Sequence, residues 1–102
     1  MRYTSVQESD FLGVVRKAAD NHDPNLLRAF LRDILTPAEY RELITRWQII
    51  KMLSSGVSQR EIAKKLNVGI ATITRGTREL SDPQGGFRQL LGRDDKRFRS
   101  RS

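Results

Sequence analysis

The segment from Gln59 to Arg75, QREIAKKLNVGIATITR, holds the residues whose order points to a chemistry, and that chemistry is reading bases rather than breaking bonds. Ile62, Ala63 and Leu66 fall on one face of a short helix, and alanine is small enough to admit a second helix close by. Asn67 follows at the turn, where the backbone is expected in the left-handed region that asparagine tolerates best after glycine. Val68 and Ile73 then plug the space between the two helices. This order predicts a helix-turn-helix at 58–80, with its second helix in the major groove of DNA. Because alanine and isoleucine are ordinary core residues, a plain helical hairpin is the competing reading.

On the second helix, Gly69, Ile70, Ala71, Thr72 and Thr74 are expected to face outward. Gly69, at the helix start, offers an uncovered N–H to a phosphate. Ile70 and Ala71 suit thymine methyls, while Thr74 suits a methyl or a base edge. Arg60, on the first helix, can reach a guanine edge or a phosphate. The reading helix carries no long polar side chain before Arg75, so water bridges and DNA shape are expected to share in specificity.

Catalysis finds little to work with. The single histidine, His22, sits between Asn21 and Asp23 and reads as a helix end, and no acid and base pair on one helix face. The absence of cysteine excludes disulfides and thiolate metal sites and fits a reducing cytoplasm, the expected location. No enzyme, no catalytic residue and no metal site is therefore expected. Lys+Arg 19 against Asp+Glu 12 leaves a net charge of +7, which favours a polyanionic partner, nucleic acid ahead of an anionic membrane surface. A basic helical module that meets an acidic protein is the reading from another class. There is neither an apolar run near ~20 residues nor a charged-then-apolar leader, so no membrane span and no signal peptide are expected.

The elements that must position these residues are all helical. At 102 residues the chain suits one small domain with a modest core, which makes a shared homodimer core an expectation. Residues 1–5 read as frayed, 6–92 as a single helical domain and 93–102 as a basic disordered tail, which either touches phosphates or is simply solvated. The apolar spacing predicts a first helix from Val6 to Asn21. Asp23-Pro24 starts a second, carrying Leu27, Phe30, Leu31, Ile34 and Leu35. Thr36-Pro37-Ala38-Glu39 is a capping box for a third, running to about Ser54 with Leu43, Trp47, Ile50 and Leu53 on one stripe. Ser58-Gln59-Arg60-Glu61 is a second capping box. A helix from Gly69 or Ile70 to Leu80 follows, then a break at Ser81-Asp82-Pro83 and a short helix from Phe87 to Leu91. Phe11, Phe30 and Trp47 are the expected shared-core aromatics.

From Leu35 to Leu80 the residues resemble the bacterial tryptophan repressor family: LTPAEYRELITRWQII, then SQREIAKKLNVGIATITRG, place LTP, the Thr45-Arg46 pair, SQRE and GIATITRG in that family's order. The resemblance implies an all-α, intertwined helical homodimer with a helix-turn-helix head, acting as a transcriptional repressor. It also implies L-tryptophan as corepressor and a palindromic double-stranded DNA operator, with tryptophan biosynthesis or transport genes as targets. By position, Arg46 and Arg75 would sandwich the indole, a stacking use of guanidinium that lysine does not supply. Ordinary surface ion pairing is the plainer role for both. Carbonyls around Asp33, Leu35 and Thr36 of the other subunit would meet the ammonium group, with Arg75 and Thr36 near the carboxylate and Gly76 in the same site. Gln59, Arg60, Lys64, Gly69, Ile70, Ala71, Thr72 and Thr74 match DNA-facing positions, and Thr45 with Arg46 matches a phosphate contact.

The chain departs from the family at several of these positions. Glu79 stands where the family commonly has a serine; it would either pair with a ligand ammonium or fill the pocket and pair with Arg46. Ala63 replaces a lysine, although Lys64 and Lys65 adjoin it, and Trp47 and Arg78 are larger than expected. The runner-up reading is a repressor-like regulator with a different effector, or none.

Overall fold

A computed structural model describes residues 2–92 of the chain; the expected tail at 93–102 lies outside them. The described residues form six α-helices and no strand: α1 (Ser5–Ala19), α2 (Pro24–Ile34), α3 (Pro37–Ser54), α4 (Gln59–Leu66), α5 (Ile70–Leu80) and α6 (Gly86–Leu91). The fold is all-α. By its internal contacts the chain divides into two compact units, Met1–Arg41 and Glu42–Ser102.

In the first unit the start is better ordered than the sequence suggested. Thr4 Oγ1 accepts from the Gln7 N–H at 3.1 Å, and Gln7 Oε1 accepts from the Thr4 N–H at 2.9 Å. This reciprocal pair satisfies orphan donors of the first turn, so α1 begins at Ser5 instead of fraying through it. The helix ends at Ala19, two residues before the expected Asn21, and His22 takes a left-handed φ of 61°. Asp23 Oδ1 then accepts from the Asn25 N–H at 3.0 Å and Pro24 opens α2, as the Asp-Pro step requires. Leu35 is extended and ends α2 at Ile34.

The apolar side chains of this unit are poorly covered. Phe11 packs on Phe30 with ring centroids 6.4 Å apart, yet keeps 44% of its surface exposed. Val6, Leu12, Val14, Leu26 and Ile34 are exposed as well, and only Ala18 of α1 and α2 is buried.

The second unit holds the core: Ile49, Ile50, Leu53, Ile62, Ile73 and Leu80, flanked by Met52, Val57, Ala63, Leu66, Val68, Phe87 and Leu91. The buried stripe of α3 differs from the expected one. Ile50 and Leu53 are inside, but Leu43 and Trp47 are exposed and Ile49 takes the inner place. The reason lies on α5, where Gly76 is buried against α3: a Cβ there would stand 3.3 Å from both Ile49 Cγ2 and Ile50 Cδ1. The missing side chain lets α5 settle over that pair of isoleucines, and this docking decides which stripe of α3 is covered.

Candidate functional site

Local chemistry sets α4 and α5 in place. Gly56, at φ 89°, closes α3. Ser58 Oγ accepts from the Glu61 N–H at 3.2 Å, but the reciprocal half of the expected capping box is not made, because the Glu61 carboxylate turns toward Lys65 Nζ at 3.9 Å. Asn67 caps α4 at φ 54°, ψ 50°, in the left-handed region its residue type predicted. Val68 and the extended Gly69 then lead into α5, and Ile62 and Ile73 are completely buried between the helices. These residues thus set α4, a left-handed turn and α5 in succession.

The outer surface of α4 and α5 carries most of the predicted DNA-facing set. Arg60, Lys64, Gly69, Ile70, Ala71, Thr72 and Thr74 are exposed. Ile70 keeps half its surface in solvent at the first turn of α5. Gly69 provides no side-chain cap and a Cβ there would meet nothing, so the first N–H groups of α5 stand open. Two candidates differ. Gln59 is half-buried and its Nε2 donates to Thr77 Oγ1 at 3.3 Å, tying α4 to α5, while Thr77 Oγ1 donates to the Ile73 carbonyl. Thr45, on α3, is likewise only partly exposed. Thr77 was missed in the sequence because a hydroxyl on a helix face carries no distinguishing pattern.

Between α3 and α5 of this second unit lies a small open groove of about 100 Å³, lined by Glu42, Arg46, Ile49, Ile50, Thr72, Arg75, Gly76, Glu79 and Phe87. It brings together four of the seven expected ligand-site residues, Arg46, Arg75, Gly76 and Glu79. Gly76 contributes by letting the helices approach rather than by offering a polar group to a ligand. Both arginines carry counter-ions from their own helices. Arg46 Nη2 donates to Glu42 Oε1 at 2.7 Å, and Arg75 Nε faces Glu79 Oε2 at 3.6 Å. Glu79 thus pairs with Arg75 and not with Arg46, because the i,i+4 spacing on α5 brings those two side chains together. Glu42 and Phe87 escaped the sequence reading. Glu42 was visible only as the (i, i+4) partner of Arg46, and Phe87 reaches the groove through the Gly85-Gly86 turn, its ring 6.3 Å from that of Trp47.

The remaining ligand-site candidates, Asp33, Leu35 and Thr36, belong to the first unit. Asp33 is exposed in the last turn of α2, and Leu35 follows as its cap. Thr36 Oγ1 accepts from the Glu39 N–H at 3.1 Å, and Glu39 Oε1 from the Thr36 N–H at 2.8 Å, completing the capping box of α3. Among the described residues no cluster of acids or histidine fits a metal ion, and no helix is long and apolar enough to cross a membrane.

Residues 9–95 match the sequence model of the family described as Trp repressor protein. The chain is similar to the Trp operon repressor homolog of Vibrio cholerae serotype O1, with 39% identity over 85 residues, 78% of this chain and 80% of that protein. It is 43% identical over 68 residues to the homolog of Vibrio campbellii, covering 66% of this chain and 65% of the relative. With the homolog of Aliivibrio salmonicida it shares 38% over 77 residues, 74% and 71% of the two chains.

Proposed function

The chain belongs to the Trp repressor family of DNA-binding transcription regulators, not of enzymes, and from that premise we propose that it is a cytoplasmic, homodimeric repressor switched by L-tryptophan. Its operator is double-stranded DNA at tryptophan biosynthesis or transport genes. The observation that carries this reading is the groove in which Arg46 and Arg75, far apart in sequence, line the same space beside α5. Two guanidinium planes accept a flat indole between them, and Arg75 also meets a carboxylate. Asp33, Leu35 and Thr36 of the other subunit supply acceptors for the ammonium group.

The dimer finds its support in the first unit, whose exposed Phe11, Leu12, Val14 and Leu26 offer the apolar area a second copy would cover. The DNA-contacting group comprises Thr45, Gln59, Arg60, Lys64, Gly69, Ile70, Ala71, Thr72 and Thr74. Open N–H groups at the start of α5 take a phosphate, and Ile70, Ala71 and Thr74 meet base edges and methyls. The switch is a population shift: ligand in the groove favours the spacing at which two α5 helices enter successive major grooves, roughly 34 Å apart. A 100-fold gain in operator affinity requires about 2.7 kcal/mol of coupling.

The test is titration calorimetry with L-tryptophan, followed by operator gel shifts with and without it. One ligand per chain is expected, and Arg75→Ala should abolish the ligand response while circular dichroism stays helical. An unchanged response in Arg75→Ala removes the sandwich. The Arg75–Glu79 pair favours a second reading, the same regulator answering to another effector, which binding by Glu79→Ser but not by the natural chain would carry.

A further inference from the structure

Several basic side chains are matched by an acid four residues away: Arg16 by Asp20, Arg46 by Glu42, Lys65 by Glu61 and Arg75 by Glu79. Arg78, exposed in the last turn of α5, has no such match among the described residues. The acid four residues on, Asp82, lies past the end of α5, and its Oδ1 accepts from the Gln84 N–H at 2.9 Å. That bond draws the carboxylate into the turn after the helix, and the Arg78 guanidinium stays uncommitted.

Its place on α5 matters as much as its freedom. Ile73, Gly76 and Leu80 are the buried residues of this helix. At about 100° per residue, Arg78 stands roughly opposite their centre and within about 20° of Ala71. It therefore extends the outward line of Ala71 and Thr74, about 10 Å beyond Ala71 at roughly 1.5 Å per residue.

We infer that Arg78 is a further DNA-contact residue of this chain, holding a phosphate at the rim of the major groove rather than reading a base. The inference rests on the assignment of α5 as the helix that enters DNA. A recognition helix touches base edges with its N-terminal residues. The major groove is about 8.5 Å deep, so a side chain about 10 Å above Ala71 stands level with the phosphates that edge it. A guanidinium fork matches phosphate oxygens, and this one has no internal partner to give up. Arg75 must first release Glu79 to make the same contact. The plainer role for Arg78 is a cation that only steadies the last carbonyls of α5.

The probe is duplex DNA that the natural chain itself enriches from a random-sequence library, selected with and without L-tryptophan. Binding by the natural chain, Arg78→Gln and Arg78→Lys is then titrated between about 50 and 200 mM salt. In Arg78→Gln the slope of log affinity against log salt should become shallower by about 0.9 per subunit, with affinity down roughly tenfold near 0.1 M. Arg78→Lys keeps the charge and should keep most of the slope. Penalties for single mismatched base pairs should be the same in all three proteins, because a phosphate carries no sequence. An unchanged slope in Arg78→Gln, with or without a lower thermal melt, would overturn the contact and leave Arg78 its helix-end role. Loss of the slope in Arg78→Lys as well, or altered mismatch penalties, would overturn the phosphate assignment. Those results leave α5 as the reading helix, whereas a library with no enriched duplex would overturn both.

Discussion

Phe11 and Ile73 are both large apolar residues inside helices, yet Phe11 keeps 44% of its surface and Ile73 keeps none. Ile73 is surrounded by residues close along the chain: Ile62 from α4, Val68 from the turn, and Ile49, Ile50 and Leu53 from the end of α3. Phe11 has Phe30 and little else. The second unit therefore completes its core from its own short helices, whereas the first displays an apolar face that its own helices do not cover. Covering side chains such as Phe11, Leu12 and Leu26 contributes about 1.5–3 kcal/mol each, which is what the proposed dimer would gain at this face. One unit buries a core of its own, and the other leaves the apolar face that the proposed pairing would cover.

Ile73→Ala attacks the complete side of this contrast and should have the largest effect. Emptying a fully buried site costs about 2–5 kcal/mol, and the loss should appear as a lower urea midpoint whatever the protein concentration. Phe11→Ala attacks the incomplete side. Its cost should fall on association, roughly 1–3 kcal/mol, and sedimentation should show a dimer that dissociates at higher concentration than the natural one. If Phe11→Ala instead lowers stability independently of concentration, the first unit is self-sufficient and the contrast fails. The smallest effect is at the turn. Asn67→Ala forces a Cβ-bearing side chain without asparagine's local hydrogen bonding into φ 54°, at a cost of about 1 kcal/mol, while Asn67→Gly should be nearly neutral by thermal melt.

What could be read in the sequence follows the same division. Asn67 and the Thr36–Glu39 box were legible because each is set by residues within a single turn. The inner face of α4 and α5 was legible too, since Ile62, Ala63, Leu66, Val68 and Ile73 lie close together along the chain. The stripe of α3 was not: Leu43 and Trp47 fit the helical period as well as Ile49 does, and the approach of α5 at Gly76 decides between them. In the groove, Arg46, Arg75 and Glu79 stood out, but Glu42 did not, and the Arg75–Glu79 pairing was not foreseen. Charged (i, i+4) partners are common on helix surfaces, and nothing in the string separates Glu42 from the rest. The first unit's open face, Phe11 and Phe30 included, was read as core shared with a second copy; periodicity reports which side of a helix is apolar, not what covers it.

Gly76 has a mechanical side as well. Its bare Cα faces Ile49, Ile50 and Leu53 of α3, and it lines the groove. A helix held at one close contact turns about that contact as about a fulcrum. Ile70 lies six residues along the lever, roughly 9 Å at 1.5 Å per residue, so a tilt of about 10° carries the reading tip some ~1.6 Å. That displacement is about half the length of a hydrogen bond, enough to make or break contact with a base edge. In the proposed switch an occupant of the groove would need to move nothing far, since it would push where the lever is shortest and bound DNA would feel the end where it is longest.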